Sequence, residues 1–86
     1  MHALPTVTSE NFRALTSRSG FVFVKCWATW CGPCKTFAPV FADTARVRAE
    51  HVWATLDTDA EPAIAAALDV RAAPSVVVFR DGTVVY

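Results

Sequence analysis

The chain has 86 residues, of which 53% are hydrophobic, so it has material for one small domain with a buried core, residues 1–86, and no room for a second. Eight basic residues balance eight acidic ones, with no long run of either sign. This balance argues against the basic stripe of a nucleic-acid-binding protein, and we expect protein or small-molecule partners instead.

The beginning of the chain and its apolar runs suggest a location. Residues 1–9 lack the basic and then apolar pattern of a secretory signal, and the apolar runs are far too short to span a membrane. We therefore expect a cytoplasmic protein without membrane contact. In a reducing compartment, two closely spaced cysteines are more often catalytic or metal-binding than a structural staple.

The first elements in chain order are a short strand and a helix. Residues 4–7 have the composition of a strand. Thr8 or Ser9 can then cap a short amphipathic helix that ends before Gly20.

A buried strand and a long helix come next. Residues 21–27 are apolar on both alternating faces, which is typical of a central strand covered on both sides, and Lys25 is the only charged residue among them. Apolar residues then recur at helical spacing as far as Ala49. We expect Pro39 to kink that helix because it removes one backbone donor.

The second half continues the alternation. Residues 51–57 read as a strand, residues 59–68 as a short alanine-rich helix, and residues 75–79 as a buried strand. Asp81-Gly82 predicts a two-residue hairpin turn into a last strand over residues 83–86.

Together these elements predict an α/β fold with the order β-α-β-α-β-α-β-β. Such an order favours a mixed, mostly parallel central sheet with flanking helices and a C-terminal β-hairpin. Three helices leave part of one sheet face uncovered, and an uncovered apolar face favours a partner or a dimer.

The chemistry concentrates in two cysteines separated by two residues. Cys31 and Cys34 come directly after a predicted strand and at the start of a predicted helix. The unpaired N–H groups and the dipole of a helix N-terminus stabilise a thiolate, so we expect Cys31 to be a good attacking group and Cys34, one turn further in, to be more buried. Gly32 leaves the approach to Cys31 open, and Pro33 suits a first-turn position that needs no donor.

A family resemblance rests on these residues and on two more distant segments. The segment WATWCGPCK at 27–35 resembles the active-site segment of the thioredoxin family, and Pro39 resembles its helix-kinking proline. The segment VRAAPS at 70–75, followed by FRDG at 79–82, resembles the second diagnostic segment of that family. The resemblance extends over nearly the whole chain and implies a thioredoxin-like fold.

The resemblance implies a thiol–disulfide oxidoreductase that reduces protein disulfides. Cys31 would be the nucleophile and Cys34 the resolving cysteine, with their redox-active disulfide in place of any bound cofactor. The resemblance also implies recycling by an NADPH-dependent flavoprotein, thioredoxin reductase. The alternative is a non-catalytic or chaperone-like binding module with the same fold.

The resemblance further implies a docking surface beside the cysteines. Pro74 corresponds to a cis-proline of the family, and the main chain of Ala73 would pair with the substrate backbone. The other residues expected there are apolar or small: Trp27, Trp30, Gly32, Pro33 and Ala72.

Lys25 departs from the family pattern, which has a buried aspartate at this position. The lysine that pairs with that aspartate in the family corresponds to Thr55, so the ion pair is absent, although Asp57 lies two residues on. A cation near the cysteines would favour their thiolates and stabilise the reduced form. Alternatively, a buried neutral Lys25 could act as a base for Cys34, or its side chain could simply reach solvent.

The second departure lies at the end of the sequence. The family continues into a glycine-containing loop and a final helix, and neither is present here. We expect a shortened form or a fragment, with reduced stability or dimerisation through the uncovered face.

A zinc site is the other alternative for the cysteines, but the sequence has no second close pair of ligands. Cys26 is most simply a small buried side chain.

Overall fold

The computed structural model describes residues 4–86; the first three residues of the segment 1–9 discussed above lie outside the described part. The described residues form three helices and four strands. In chain order these are α1 (Phe12–Thr16), β1 (Phe21–Trp27), α2 (Gly32–Val47), β2 (Val52–Asp57), α3 (Pro62–Ala67), β3 (Ser75–Arg80) and β4 (Thr83–Val84). None of these helices is long and apolar enough to cross a membrane.

The predicted first strand is reduced to one isolated bridge. Thr6 pairs with Thr55 in parallel, and the two hydrogen bonds around it join the backbone N–H of Val7 to the carbonyl of Thr55 and the N–H of Thr55 to the carbonyl of Pro5. The short strand expected at residues 4–7 is therefore not formed, although the segment still lies along the edge of β2.

The sheet is mixed, as predicted, in the order β2-β1-β3-β4. Strand β1 runs parallel to β2, but β3 is antiparallel to both β1 and β4, so the expected mostly parallel pairing is limited to one ladder and the bridge. Residues 58–74, which include the six-residue α3, connect β2 to β3. The side-chain pattern of β3 predicts a buried strand but does not encode whether its neighbour runs parallel or antiparallel.

The principal core lies on the sheet face covered by α1 and α3. Its fully buried residues alternate along three strands: Val22, Val24, Cys26, Ala54, Leu56, Val77 and Phe79, together with Val7. Phe12 and Leu15 from α1, Ile64 from α3 and Leu68 at the C-cap of α3 pack against them. This alternation explains why β1 reads as apolar on both faces, since α2 covers the other one.

The opposite face holds an aromatic stack under α2. The rings of Phe23 and Trp53 are stacked with centroids 4.3 Å apart, and Phe41 of α2 meets Trp53 edge-on at 5.4 Å. Helix α2 continues through Pro39, as the sequence predicts, and ends at Val47 rather than at Ala49. The stack anchors α2 to β1 and β2, and so fixes the start of that helix relative to the end of β1.

The C-terminal hairpin turns where the sequence predicts. Asp81 and Gly82 both have positive φ, at 54° and 82°, which is the geometry that a two-residue turn requires. Regular strand β4 covers only Thr83–Val84, shorter than predicted. The backbone of Val78 nevertheless forms hydrogen bonds with the backbones of Val85 and Tyr86, the two residues that follow β4. Two residues of one strand therefore lie opposite one residue of the other, and the ladder ends in a β-bulge.

Candidate active site

The two cysteines lie at the N-terminus of α2, directly beyond the end of β1. Cys31 is the N-cap residue with extended backbone, and Pro33 occupies the first turn. Cys31 and Cys34 form a disulfide with Cα atoms 5.3 Å apart. The helix start predicted from the sequence therefore holds the pair in bonding geometry.

The sulfur of Cys31 also caps the helix. The backbone N–H of Cys34 donates a hydrogen bond of 3.1 Å to Cys31 Sγ. After reduction, this donor and the helix dipole would face a Cys31 thiolate, and hydrogen bonds to an ionised acceptor are stronger than those to a neutral one. The arrangement favours Cys31 as the attacking sulfur.

Burial does not separate the two cysteines. Cys31 is 3% exposed and Cys34 is 4% exposed in the disulfide form, so the expectation that Cys34 would be the more buried is wrong for this state. The approach is open beside them: an added Cβ on Gly32 would meet no atom within 4 Å, and Gly32 and Pro33 are both exposed. Any difference between the two sulfurs therefore arises from hydrogen bonding rather than from burial.

Trp30 projects from the site into solvent. Its side chain is 70% exposed, and its indole Nε1–H donates to Asp59 Oδ2 at 3.0 Å. Asp59 comes from the turn after β2, 29 residues along the chain. The hydrogen bond orients the indole beside the disulfide, and no sequence signal pointed to Asp59 as its partner.

The loop before β3 lies against the cysteine pair. The Ala73–Pro74 peptide bond is cis, as the resemblance implies. Ala73 packs with Trp27 against a small cluster formed by Ala28, Cys31 and Cys34. Among the described residues, no hydrogen bond outside the sheet ladders involves the N–H or the carbonyl of Ala73.

Two backbone hydrogen bonds fix the end of β1, one from the turn after β2 and one within the loop between β1 and α2. The backbone N–H of Thr58 donates to the carbonyl of Trp27 at 3.0 Å, and the N–H of Cys31 donates to the carbonyl of Ala28 at 3.1 Å. Since Trp27 and Ala28 both contact the disulfide cluster, these bonds couple the position of the cysteines to the sheet.

Lys25 lies in the middle of β1, on the face covered by α2, and is only 7% exposed. Its Nζ lies 5.6 Å from the centroid of the Phe41 ring, and burial lowers the pKa of its ammonium group. Lys25 also lines an open pocket formed by β1, the loop after it and the first turns of α2, so the interpretation that its side chain reaches solvent stays a prediction. Thr55 and Val76 are its neighbours across the two ladders.

Asp57 does not compensate for the missing acid. Its Oδ1 accepts hydrogen bonds from the backbone N–H groups of Asp59 and Ala60, at 2.9 and 3.2 Å. No salt bridge joins Lys25 to an acid anywhere in residues 4–86. The carboxylate of Asp57 instead holds the turn that presents Asp59 to Trp30.

Cys26 is separate from the redox pair. It is fully buried in the principal core, and burial raises the pKa of its thiol to about 11. The prediction of a small buried side chain is confirmed. Within the described part of the chain, no group of three or more His, Cys, Asp or Glu side chains could hold a metal ion.

Comparison with known proteins decides the family. The family model described as thioredoxin matches residues 3–86 of this chain. The chain belongs to the thioredoxin family. This membership accounts for the CxxC pair at a helix start and for the cis Ala73–Pro74 bond beside it.

Individual thioredoxins are similar over most of this chain. It is 41% identical over 81 residues to a thioredoxin of Staphylococcus haemolyticus, covering 93% of this chain and 77% of that protein. It is 35% identical over 80 residues to a putative thioredoxin 2 of Streptomyces coelicolor, covering 93% of this chain but only 60% of that protein. The structure of Malassezia sympodialis thioredoxin matches with a TM-score of 0.90 and 30% identity, covering 98% of this chain and 76% of that one. The thioredoxin-like fold predicted from the sequence is confirmed.

Proposed function

We propose that this thioredoxin-family protein is a thiol–disulfide oxidoreductase that reduces protein disulfides, with Cys31 as the nucleophile and Cys34 as the resolving cysteine. The observation that carries the proposal is the Cys31–Cys34 disulfide at the start of α2, where the N–H of Cys34 donates to Cys31 Sγ. Membership of the thioredoxin family supports the same conclusion.

The proposed reaction transfers two electrons and two protons to the target disulfide. The Cys31 thiolate attacks one target sulfur, the target S–S bond breaks, and the other target sulfur leaves as a thiolate that takes up a proton. Cys34 then loses its proton and attacks Cys31 Sγ, which breaks the mixed disulfide and releases the second target thiol. The protein is left with the Cys31–Cys34 disulfide, and no bound cofactor is required.

The proposed substrate surface surrounds the disulfide. Trp30, Gly32 and Pro33 are exposed beside the cysteines, and Ala73, which precedes Pro74 through a cis bond, packs against them. The backbone N–H and carbonyl of Ala73 form no hydrogen bond outside the sheet ladders in the described residues. They could pair with an extended substrate segment, because the addition of a strand provides hydrogen-bond partners for such groups. Trp27 and Pro39 support the site from within β1 and α2.

We propose Lys25 as a positioning residue that acts through Cys34. A cation beside the pair stabilises a thiolate and so makes the protein a stronger oxidant, whereas a neutral Lys25 would accept the proton of Cys34. The redox potential and pH–rate profile of wild type and Lys25→Asp separate these roles. A change in potential indicates the cation, and a change confined to the pH–rate profile indicates the base. If neither changes, the Lys25 side chain simply reaches solvent.

The direct test is reduction of a protein disulfide driven by a dithiol. Wild type should show turnover, and Cys31→Ser and Cys34→Ser should each abolish it. Turnover that survives both substitutions would defeat this proposal in favour of a non-catalytic or chaperone-like binding module.

The proposed partners are protein disulfide substrates and, for recycling, an NADPH-dependent flavoprotein thioredoxin reductase. Spectroscopic assay of NADPH oxidation with a purified bacterial thioredoxin reductase tests the second partner. We propose a cytoplasmic location, because the free Cys26 and the exchange chemistry suit a reducing compartment. A dimer through the uncovered part of the sheet face stays a prediction, which sedimentation tests.

A further inference from the structure

Lys25 is a buried cation without an acid to pair with in the described residues. Only 7% of the surface of Lys25 is exposed to solvent. The acid on the neighbouring strand β2, Asp57, accepts hydrogen bonds from the backbone N–H groups of Asp59 and Ala60 instead. Removal of a charge from water is costly unless a partner compensates for it. The Lys25 ammonium also lines an open pocket, so an anion that enters from solvent can pair with it.

The immediate surroundings compensate for only part of that cost. The Phe41 ring, 5.6 Å from Nζ, provides a cation–π contact, which contributes about 0.5–2 kcal/mol. Thr55 on β2 and Val76 on β3 are uncharged, and the titratable groups beside Lys25 on α2 are Cys34 and Lys35. None of these groups carries a negative charge while the disulfide is intact.

An open pocket adjoins Lys25. Its volume is about 450 Å³, and it is lined mainly by apolar surface from β1, the loop after it and the first turns of α2: Lys25, Trp27, Ala28, Thr29, Cys34, Lys35 and Ala38. Pockets of roughly 300–1,000 Å³ with apolar walls and a few polar groups are typical of small-molecule sites. We call this site the Lys25 pocket.

We propose that the Lys25 pocket binds a small organic carboxylate, with the carboxylate paired to the Lys25 ammonium and an apolar body lying against Trp27 and Ala38. The charge of Lys25 selects an anion, and the apolar walls select a hydrophobic body over a hydrated inorganic ion. A carboxylate of this kind supplies the counter-charge that residues 4–86 do not provide at this position.

The proposal, which here rests on the proposed function, also links the pocket to the redox pair. Cys34 lines the pocket, so the negative charge that the reduced cysteine pair carries as a thiolate would repel the carboxylate and compete with it for Lys25. The disulfide has no such charge, so the ligand binds more tightly to the oxidised form. By linkage, the ligand then stabilises the disulfide and opposes its reduction by the same factor.

Benzoate and benzamide form a matched pair of probes, since they share a ring and differ in charge. We expect calorimetry or backbone amide NMR shifts of the oxidised wild type to show saturable benzoate binding, roughly in the millimolar range for a ligand of this size. Benzamide should bind at least about tenfold more weakly, which corresponds to about 1.4 kcal/mol. Absence of saturable benzoate binding, or equal affinities for the two probes, would overturn the proposal without the need for any variant.

Two lysine variants locate the site. Lys25→Met should weaken benzoate binding at least about tenfold, with an unchanged circular dichroism spectrum as the check on folding, whereas Lys35→Met should weaken it less than about threefold because the Lys35 head is solvated. Lys25→Arg should restore most of the affinity. If benzoate binding survives Lys25→Met and disappears in Lys35→Met, the carboxylate pairs with Lys35, and the proposal that it pairs with Lys25 is overturned.

The redox link has a separate readout. Equilibration with a glutathione redox buffer should show a smaller reduced fraction with saturating benzoate than with benzamide. Binding to the oxidised protein needs no turnover, so a failed reductase assay leaves the binding result intact. Binding without any change in the redox equilibrium would overturn the link between the pocket and Cys34.

Discussion

The backbone N–H of Cys34 donates a hydrogen bond of 3.1 Å to the sulfur of Cys31, so the residue that closes the disulfide also stabilises its partner. Both cysteines are almost fully buried and share one helix turn. The difference between them therefore comes from their places at the helix terminus: the Cys31 sulfur accepts the bond, and Cys34 lies within the first turn.

This difference predicts unequal reactivity after reduction. Alkylation of the reduced protein at neutral pH should modify Cys31 at least about tenfold faster than Cys34, because the helix terminus stabilises the Cys31 thiolate. Peptide mapping by mass spectrometry measures the ratio. Cys34→Ser should accumulate a mixed disulfide with a target protein and Cys31→Ser should not; equal alkylation rates, or trapping by Cys31→Ser, would reverse the assigned roles.

Exposed Trp30 is expected to contribute to substrate reduction rather than to stability. Trp30→Ala should lower kcat/KM for a protein disulfide about fivefold or more, which corresponds to a loss of ~1 kcal/mol of binding. Val47→Ala is the control, because Val47 is 68% exposed on α2 but lies at the end of the helix away from the disulfide. A similar small effect of both substitutions would remove Trp30 from the docking surface.

Replacement of Lys25 by an apolar residue should stabilise the fold at neutral pH. Burial lowers the Lys25 pKa from 10.5, so the unfolded chain binds more protons than the folded one over the window below 10.5, and Lys25 opposes folding while it is charged. Lys25→Met should raise the free energy of unfolding at pH 7 by about 1 kcal/mol or more. That gain should shrink as the pH rises to 10.5.

Urea unfolding of wild type and Lys25→Met at pH 7 and pH 10.5 measures this effect. Cys26 also titrates at alkaline pH, but both proteins contain it and the comparison cancels its contribution. Lys35→Met, at an exposed lysine, should change stability by less than about 0.5 kcal/mol. A Lys25→Met protein that is less stable at pH 7, or a gain that is independent of pH, would contradict the burial of a charged Lys25.

The Cys26 thiol should be inert in the native protein. With a pKa of about 11, roughly one molecule in a thousand carries the thiolate at pH 8, and the side chain is fully buried. Iodoacetamide should leave the native oxidised protein unmodified and add one group after unfolding in guanidinium without reductant, as mass spectrometry would show. Rapid native labelling at Cys26 would place it outside the core.

The element types and most of their bounds follow from the sequence, because side-chain periodicity and the turn residues are local properties. The periods of β1 and α2 and the Asp81-Gly82 turn each predicted the element found there. The prediction of a strand at residues 4–7 was wrong. A strand forms only where a neighbouring strand pairs with it over several residues, and here a single bridge joins Thr6 to Thr55. The predicted direction of β3 was wrong for a related reason, since the side-chain pattern of a strand does not encode whether its neighbour runs parallel or antiparallel.

The sequence by itself determined the redox pair, since the CxxC spacing, the preceding strand and the following helix are all encoded within a few adjacent residues, and its motifs already pointed to the thioredoxin family. The tertiary structure decided the rest of the site. Asp59 meets Trp30 across 29 residues, Asp57 turns toward backbone N–H groups instead of Lys25, and Phe41 from α2 lies near the Lys25 ammonium. These contacts join separate elements whose distances depend on how the sheet and α2 pack, and for that reason only the folded chain reveals a buried lysine beside an open pocket.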